Sequence, residues 1–229
     1  MPGIAMLTLH HLEYSQSVRI LWLLEELGAD YQLKSYRRDP ESNLAPDDYK
    51  ALSPLGTAPV VTDGDLVLAE SNAIIDYILD AYPDSALRPA PGSADRARHL
   101  FWFHAAQGSL MSTQMVSMVL TLLETRTPWP ISALLKAIFG QVRKLFVNPR
   151  LDALFGQMEK DLAEKPFFGG DNLTAADITL VYPMFAARDK GAFELGYPNI
   201  GRWFDRVESM ESFRAARAKD DRERITFRF

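Results

Sequence analysis

Two short stretches carry residue types from which a binding site for a small peptide can be made. In GTAPVV, residues 56–61, Pro59 stands directly before a valine run that reads as a strand. Proline brings no N–H to a ladder, so at a strand entry it leaves nearby backbone free for another partner. An X–Pro bond is readily held cis. A cis Ala58–Pro59 bond would turn the N–H and C=O of Ala58 outward, where a peptide-like ligand can add as one more strand. The plain alternative is a trans proline closing a loop. In LAESNAI, Glu70 and Ser71 open a helix. Helix N-termini expose free N–H groups and partial positive charge, so they attract carboxylates. Ser71 can donate N–H and O–H to a carboxylate, and Glu70 can accept from an ammonium. The pair suits an amino-acid end, although an ordinary Ser/Glu helix cap uses the same residues.

The 229-residue chain has no cysteine. Disulfides, cysteine metal sites and a cysteine nucleophile are excluded, so any thiol chemistry must use a thiol that arrives with a ligand. His10, His11, His99 and His104 form no known metal-ligand spacing, and no metal is expected. A net charge of −5 gives no support to nucleic-acid binding. The basic residues near 143–150 and 213–228 alternate with acidic or apolar ones and read as solvated helix faces. Apolar runs are broken by charge, as by Arg19, Glu25 and Glu26 in RILWLLEELG, and no membrane span is expected. The first fifteen residues lack a basic stretch and a cleavage pattern, which points to the cytoplasm.

Two patterns meet near residue 90. IAMLTLH (4–10) reads as a strand. SQSVRILWLLEELG (15–28) reads as a helix with Ser15 or Ser17 as N-cap and Gly28 as its stop. YQLKSY (31–36) alternates as a second strand, and a short helix is expected near 46–53. PVVT and LVLA make a hairpin around Asp63-Gly64, a type I′ turn signal. ESNAIIDYILDAYP (70–83) is a helix that stops before Pro83. The order β-α-β-α-β-β-α predicts a mixed four-stranded sheet, with the first two strands parallel and helices on both faces. PDSALRPAPGS reads as a linker. The predicted division is therefore 1–84, a linker at 85–93, and an all-α unit over 94–229. Within that unit helices are expected at 94–124, 131–146, 150–164, 174–188, 199–207 and 210–218. Breaks are expected at Pro128 and Pro130, and at NPR (148–150).

SPLGTAPVVTDGDLVLAESNAIIDYI resembles the glutathione-binding region of cytosolic glutathione transferases. FFGGDNLTAADITL is similar to that family's capping motif, with Thr174 as N-cap, Asp177 at N3, and Leu173 and Ile178 as a hydrophobic staple. HHLEYSQSVRILWLLEELGADYQLKSYRRD looks most like a bacterial and fungal branch. The resemblance spans almost the whole chain. It implies a thioredoxin-like N-terminal domain, an all-α C-terminal domain and a homodimer. It also implies that glutathione is the co-substrate. Ala58, after Pro59 turns the chain, would pair with the cysteinyl part, and Glu70 and Ser71 would hold the γ-glutamyl end. Arg37, Arg38 or Lys50 would meet the glycine carboxylate, or else be solvated loop charges.

The activity implied is addition of the glutathione thiolate to hydrophobic electrophiles. A hydroxyl donor and a helix N-terminus both favour the anion. HHLEYSQS supplies Tyr14, Ser15 and Ser17. Alignment with the serine-type classes puts Leu12, which has no donor, at the usual serine position. Ser15 is then the first candidate for the activating residue and Tyr14 the second. Met111, Met115 and Met118 recur at i, i+4, i+7 and share a helix face, either as the electrophile wall or as a core stripe. Trp129 and the tail ITFRF are further candidate walls. Two other functions stay open: a non-catalytic glutathione-binding module of the same fold, and a glutathione-dependent peroxidase or lyase.

Overall fold

In the computed structural model of the chain, residues 6–220 and 222–225 are described. Strand β1 (Leu7–Leu12) leads through Glu13–Gln16 into helix α1 (Ser17–Leu27), which stops at Gly28 with φ +57. Strand β2 (Tyr31–Tyr36), short helix α2 (Asp47–Lys50), strands β3 (Val60–Asp63) and β4 (Leu66–Ala69), and helix α3 (Ser71–Ala81) complete the expected order. The sheet runs β2-β1-β3-β4, with β1 and β2 parallel and the other pairs antiparallel. The hairpin differs from the I′ expectation. Its two loop residues are Gly64 and Asp65, and only Gly64 has positive φ (+57), the sign pattern of a II′ turn with glycine first. The helix expected over 46–53 shrinks to α2.

Strand alternation divides β1 between two cores. Leu7 and Leu9 point with Val61 toward α1 and α3, in the main core. Leu12 points the other way, into a smaller cluster with Tyr36, Val60 and Tyr49 of α2. The adjacent histidines are split in the same manner. His10 lies on the α2 side, between the Tyr36 hydroxyl (3.0 Å) and Thr62 Oγ1 (3.2 Å). His11 lies on the α1 side.

Beyond a loop that includes Pro89 and Pro91, among the described residues the regular elements are all helical. Helix α4 (Arg96–Ala105) passes through a π-helical turn, Ala106–Met111, into α5 (Ser112–Arg126). The chain then breaks at Pro128 and at Pro130, whose bond to Trp129 is cis. Helix α6 (Ile131–Val142) continues through a second π-helical turn, Arg143–Val147, into α7 (Asn148–Glu164). The break expected at NPR is therefore absent. Pro149 falls in the first turn of α7, where a missing N–H is tolerated, and Arg150 Nη1 donates to the Phe146 carbonyl at 2.9 Å. Helices α8 (Ala175–Arg188), α9 (Pro198–Ser209) and α10 (Glu211–Asp220) follow. Trp102, Phe168 and Trp203 form an aromatic column, with successive rings 5.2 Å apart. Helix α10 returns to α1, where the Trp22 indole donates to Ser212 Oγ (3.0 Å) and stacks edge-on with Phe213.

The capping motif is built as read. Thr174 Oγ1 accepts from the Ala176 N–H, and the Asp177 carboxylate accepts from the Thr174 N–H. Asp177 also accepts from the Phe168 N–H (2.8 Å) and the Trp203 indole (3.0 Å), entirely out of water. Burial raises its pKa, against the pull of these donors. Gly169 is required here, because a Cβ would lie 2.0 Å from Thr174 Oγ1.

Two stability predictions follow from these contacts. Asp177→Ala strands the Phe168 and Trp203 donors in the core and should cost about 3 kcal/mol or more in urea unfolding, against about 1 kcal/mol for Thr174→Ala. The second concerns His99, which is 3% exposed and stacked on Phe103. Burial first, then Arg96, Arg88 and His104, lower its pKa to about 4. The unfolded chain then binds the extra proton between about pH 6.5 and 4, so this contribution is intact above that window and is lost as pH falls through it. Urea unfolding should show a loss of about 2 kcal/mol from this group between pH 7 and 5, absent in His99→Phe.

Candidate active site

The sheet register brings three sequence-distant stretches to one end of the molecule. Strand β3 pairs with β1 as far as His10↔Val60, and with β4 as far as Val60↔Ala69. Continuing those registers puts Ala58 level with Leu12 on one side and with Ser71 on the other. The Ala58–Pro59 bond is cis, as expected, and the ladder stops there. The Ala58 N–H and C=O make no hydrogen bond to another described residue. The β1–α1 junction, the proline turn and the N-terminus of α3 thus surround the same end of the sheet.

Each stretch has distinct chemistry. Glu70 holds φ +74, rare for a residue with a Cβ, and immediately precedes α3. Ser71 is buried in the first turn, where the free N–H groups of α3 begin. Behind it lies Arg19 of α1, fully buried. Its Nη1 donates to Gln16 Oε1 at 2.5 Å and reaches Ser71 Oγ at 3.4 Å. Its Nε and Nη2 have no hydrogen-bond partner among the described residues. Burial lowers the guanidinium pKa to about 9, with the Tyr182 ring 5.7 Å away as a partial counterweight. At neutral pH a positive charge therefore sits directly behind the α3 N-terminus.

At the junction, Tyr14 adopts φ +51, is half-buried, and its carbonyl accepts from the Tyr182 hydroxyl (3.3 Å). Ser15 is 6% exposed. Its hydroxyl donates to the Leu12 carbonyl at 2.6 Å, lies 2.7 Å from Ser17 Oγ, and accepts from the Ser17 N–H. Neither serine is the N-cap in the strict sense, since Gln16 precedes the first helical residue, but Ser15 serves a capping donor. Leu12, at the usual serine position by alignment, ends β1, and its side chain is buried in the cluster with Tyr36 and Tyr49.

The other predicted residues divide. Arg37 is exposed, and Lys50 is exposed and paired with Asp47 at 3.0 Å. Arg38 ties the junction to the following loop, donating to Glu13 O (3.1 Å) and Asn43 O (3.0 Å). Gln107 Nε2 donates to Gln16 Oε1 (3.0 Å), so the α4–α5 helix crosses the junction there. Met111 follows one turn later and is half-buried, as is Met118, while Met115 is 45% exposed. None of the three is fully buried. Trp129 is 82% exposed and lies past the end of α5, whose rod runs roughly 28 Å from Gln107 to Arg126, so it does not wall the junction. Of ITFRF, only Ile225 is described; 226–229 lie outside the described residues. Among the described residues, no cluster of three or more His, Asp or Glu side chains is arranged to hold a metal, and no helix is long and apolar enough to cross a membrane.

Sequence reading missed Arg19, Gln16 and the partner of His11. The signal for Arg19 was present: a lone arginine inside an apolar helix must find a counter-group or a ligand.

Family comparisons agree with this geometry. The model described as "Glutathione S-transferase, N-terminal domain" matches residues 5–80, and "Glutathione S-transferase, C-terminal domain" matches 125–211. The chain is 31% identical to glutathione S-transferase 3 of Schizosaccharomyces pombe, over 96% of this chain and 90% of that protein. A crystal structure of a glutathione S-transferase from Actinobacillus pleuropneumoniae is 33% identical, with TM-score 0.73, covering 94% of this chain and 93% of that one. A theta-class enzyme from Xanthomonas axonopodis pv. citri, crystallised with glutathione bound, is 26% identical over 94% of this chain and 97% of its own, with TM-score 0.62. By both family models and the Schizosaccharomyces pombe relative, the chain belongs to the glutathione S-transferase family.

Proposed function

We propose that this protein is a glutathione transferase that binds glutathione at the end of the sheet and presents its thiolate to hydrophobic electrophiles. The observation that carries the reading is the register that sets Ala58, just beyond the last pairs of β3, level with both Leu12 and Ser71. A tripeptide paired with Ala58 would have its γ-glutamyl carboxylate at the α3 N-terminus and its sulfur toward the β1–α1 junction. Ser71 and the α3 N–H groups receive that carboxylate, with the Arg19 charge behind them. Glu70 accepts from the α-ammonium. Arg37 and Lys50, both exposed, are candidates for the glycine carboxylate.

A free thiol has a pKa near 8.5, and each unit of lowering is worth about 1.4 kcal/mol of thiolate stabilisation. The N-terminus of α1 supplies part of it. Ser15 supplies a hydrogen bond once its hydroxyl turns from the Leu12 carbonyl, with Tyr14 as the second candidate. Catalysis is then thiolate stabilisation and positioning. Met111, nearest the junction, and Met118 and Met115 farther along form an adaptable apolar wall for the electrophile. Division into a glutathione-binding unit at 1–84 and a helical unit from 94, a cytoplasmic location, detoxification and homodimeric assembly belong to the same reading, by family membership.

One observation favours a non-catalytic binder: the Ser15 hydroxyl is turned inward. A panel of electrophiles that includes a chloronitrobenzene separates the two. The enzyme reading expects glutathione-dependent turnover, with Ser71→Ala raising KM for glutathione about tenfold or more, since a hydrogen bond to a charged group is worth about 1.5–3 kcal/mol. Calorimetric binding of glutathione without turnover on the whole panel would establish the binder instead.

A further inference from the structure

Behind Ser15 runs an unbroken line of buried polar groups. Ser15 Oγ lies 2.7 Å from Ser17 Oγ, which lies 2.8 Å from His11 Nδ1. His11 Nε2 lies 2.8 Å from Asp220 Oδ1, at the end of α10. His11 is 2% exposed, and Ser17 and Asp220 are also buried. The line joins residues 209 apart in sequence, and one end reaches the junction where a thiol is to be activated. Asp220 is further held by Arg217. The Glu13–Arg222 ion pair (3.0 Å) flanks the strand end, and across β2 the register partner of His11 is the uncharged Ser35.

We infer that this line carries the proton of the glutathione thiol to His11, so that His11 and Asp220 act as positioning residues that complete thiolate formation through the two serines. The inference rests on the reading that the thiol lies at the junction. The carboxylate of Asp220 accepts the His11 Nε2–H, which leaves Nδ1 as the acceptor. The Ser17 hydroxyl then donates to Nδ1, and Ser15 donates to Ser17 Oγ once its one proton turns from the Leu12 carbonyl, 2.6 Å away. When the S–H bond breaks, its proton goes to Ser15 Oγ, the Ser15 proton goes to Ser17 Oγ, and the Ser17 proton goes to Nδ1. Each hydroxyl keeps one proton, no electron is lost or gained, and the products are a thiolate and an imidazolium paired with Asp220. The transfer also reverses both hydroxyls. Ser17 now donates to Ser15 Oγ or to the Leu12 carbonyl, which lies 3.1 Å away, and Ser15 donates to the thiolate. The inward Ser15 hydroxyl, held on the Leu12 carbonyl, is thus one rotation of its proton away from the connected line.

A tie that only fastened α10 to β1 would affect stability and leave the titration of the bound thiol unchanged. The experiment therefore follows thiolate absorbance of bound glutathione against pH, together with the pH profile of kcat/KM. His11→Gln keeps a donor for Asp220 but cannot take the proton. Its thiolate midpoint should rise by about one pH unit, with kcat/KM down about tenfold near pH 6.5 and recovering at high pH. Ser17→Ala interrupts the line while leaving the His11–Asp220 pair intact and should give the same shift, so the test survives a His11 variant that does not fold. Adding Ser17→Ala to His11→Gln should shift the midpoint no further. Midpoints within about 0.3 unit of the wild type in either folded variant would overturn the relay while leaving the transferase reading standing. A wild-type protein that does not bind glutathione would remove the reading itself.

Discussion

The antiparallel pairing of β3 with both β1 and β4 is the constraint on which the rest of the molecule depends. It ends at Val60, because Pro59 before it has no N–H to give the ladder. A ladder that stops there leaves the Ala58 peptide groups unclaimed by the described residues, beside the start of α1 and the start of α3. Backbone pairing supplies affinity along an extended ligand, while the helix N-termini and side chains choose its ends. Shifting β3 by one residue would send Val61 out of the main core and move Ala58 out of line with both helix mouths.

The charge behind α3 acts through the same arrangement. A helix N-terminus alone is worth about 0.3–1 kcal/mol to a nearby anion. Arg19, entirely out of water and short of hydrogen-bond partners, adds a full charge at a site where little solvent screens it. The desolvation penalty of that guanidinium is offset in part by Gln16 and the Tyr182 ring. Gln16 also meets Gln107, so the ion's support and the crossing of the α4–α5 helix are one network.

The return of α10 to α1 is the other long-range requirement. Trp22 and Phe213 supply the apolar part of that contact, and Lys219 pairs with Glu25 at 2.5 Å. This packing delivers Asp220 to His11. It ties the end of the helical part of the chain to the first strand, immediately beside the β1–α1 turn.

Much was legible in the residues alone. Strand alternation, Gly28, the proline before PVVT and the Thr174–Asp177 pair each act within a few positions, so local sterics and hydrogen bonding are enough to read them. Composition excluded a cysteine nucleophile. Tertiary structure decided what depends on which distant groups meet. Leu12 became a core residue because β1 runs two residues farther than its alternation suggested. Pro149 failed to break a helix because a π-helical turn preceded it. Trp129 lies beyond the far end of the expected rod, and only the fold shows that this end is directed away from the junction. His10 and His11, adjacent and chemically identical, acquired different neighbours because the pleat sends them to opposite faces. The partner of His11 lies at the far end of the chain, and no spacing rule connects residues that only folding brings within 2.8 Å.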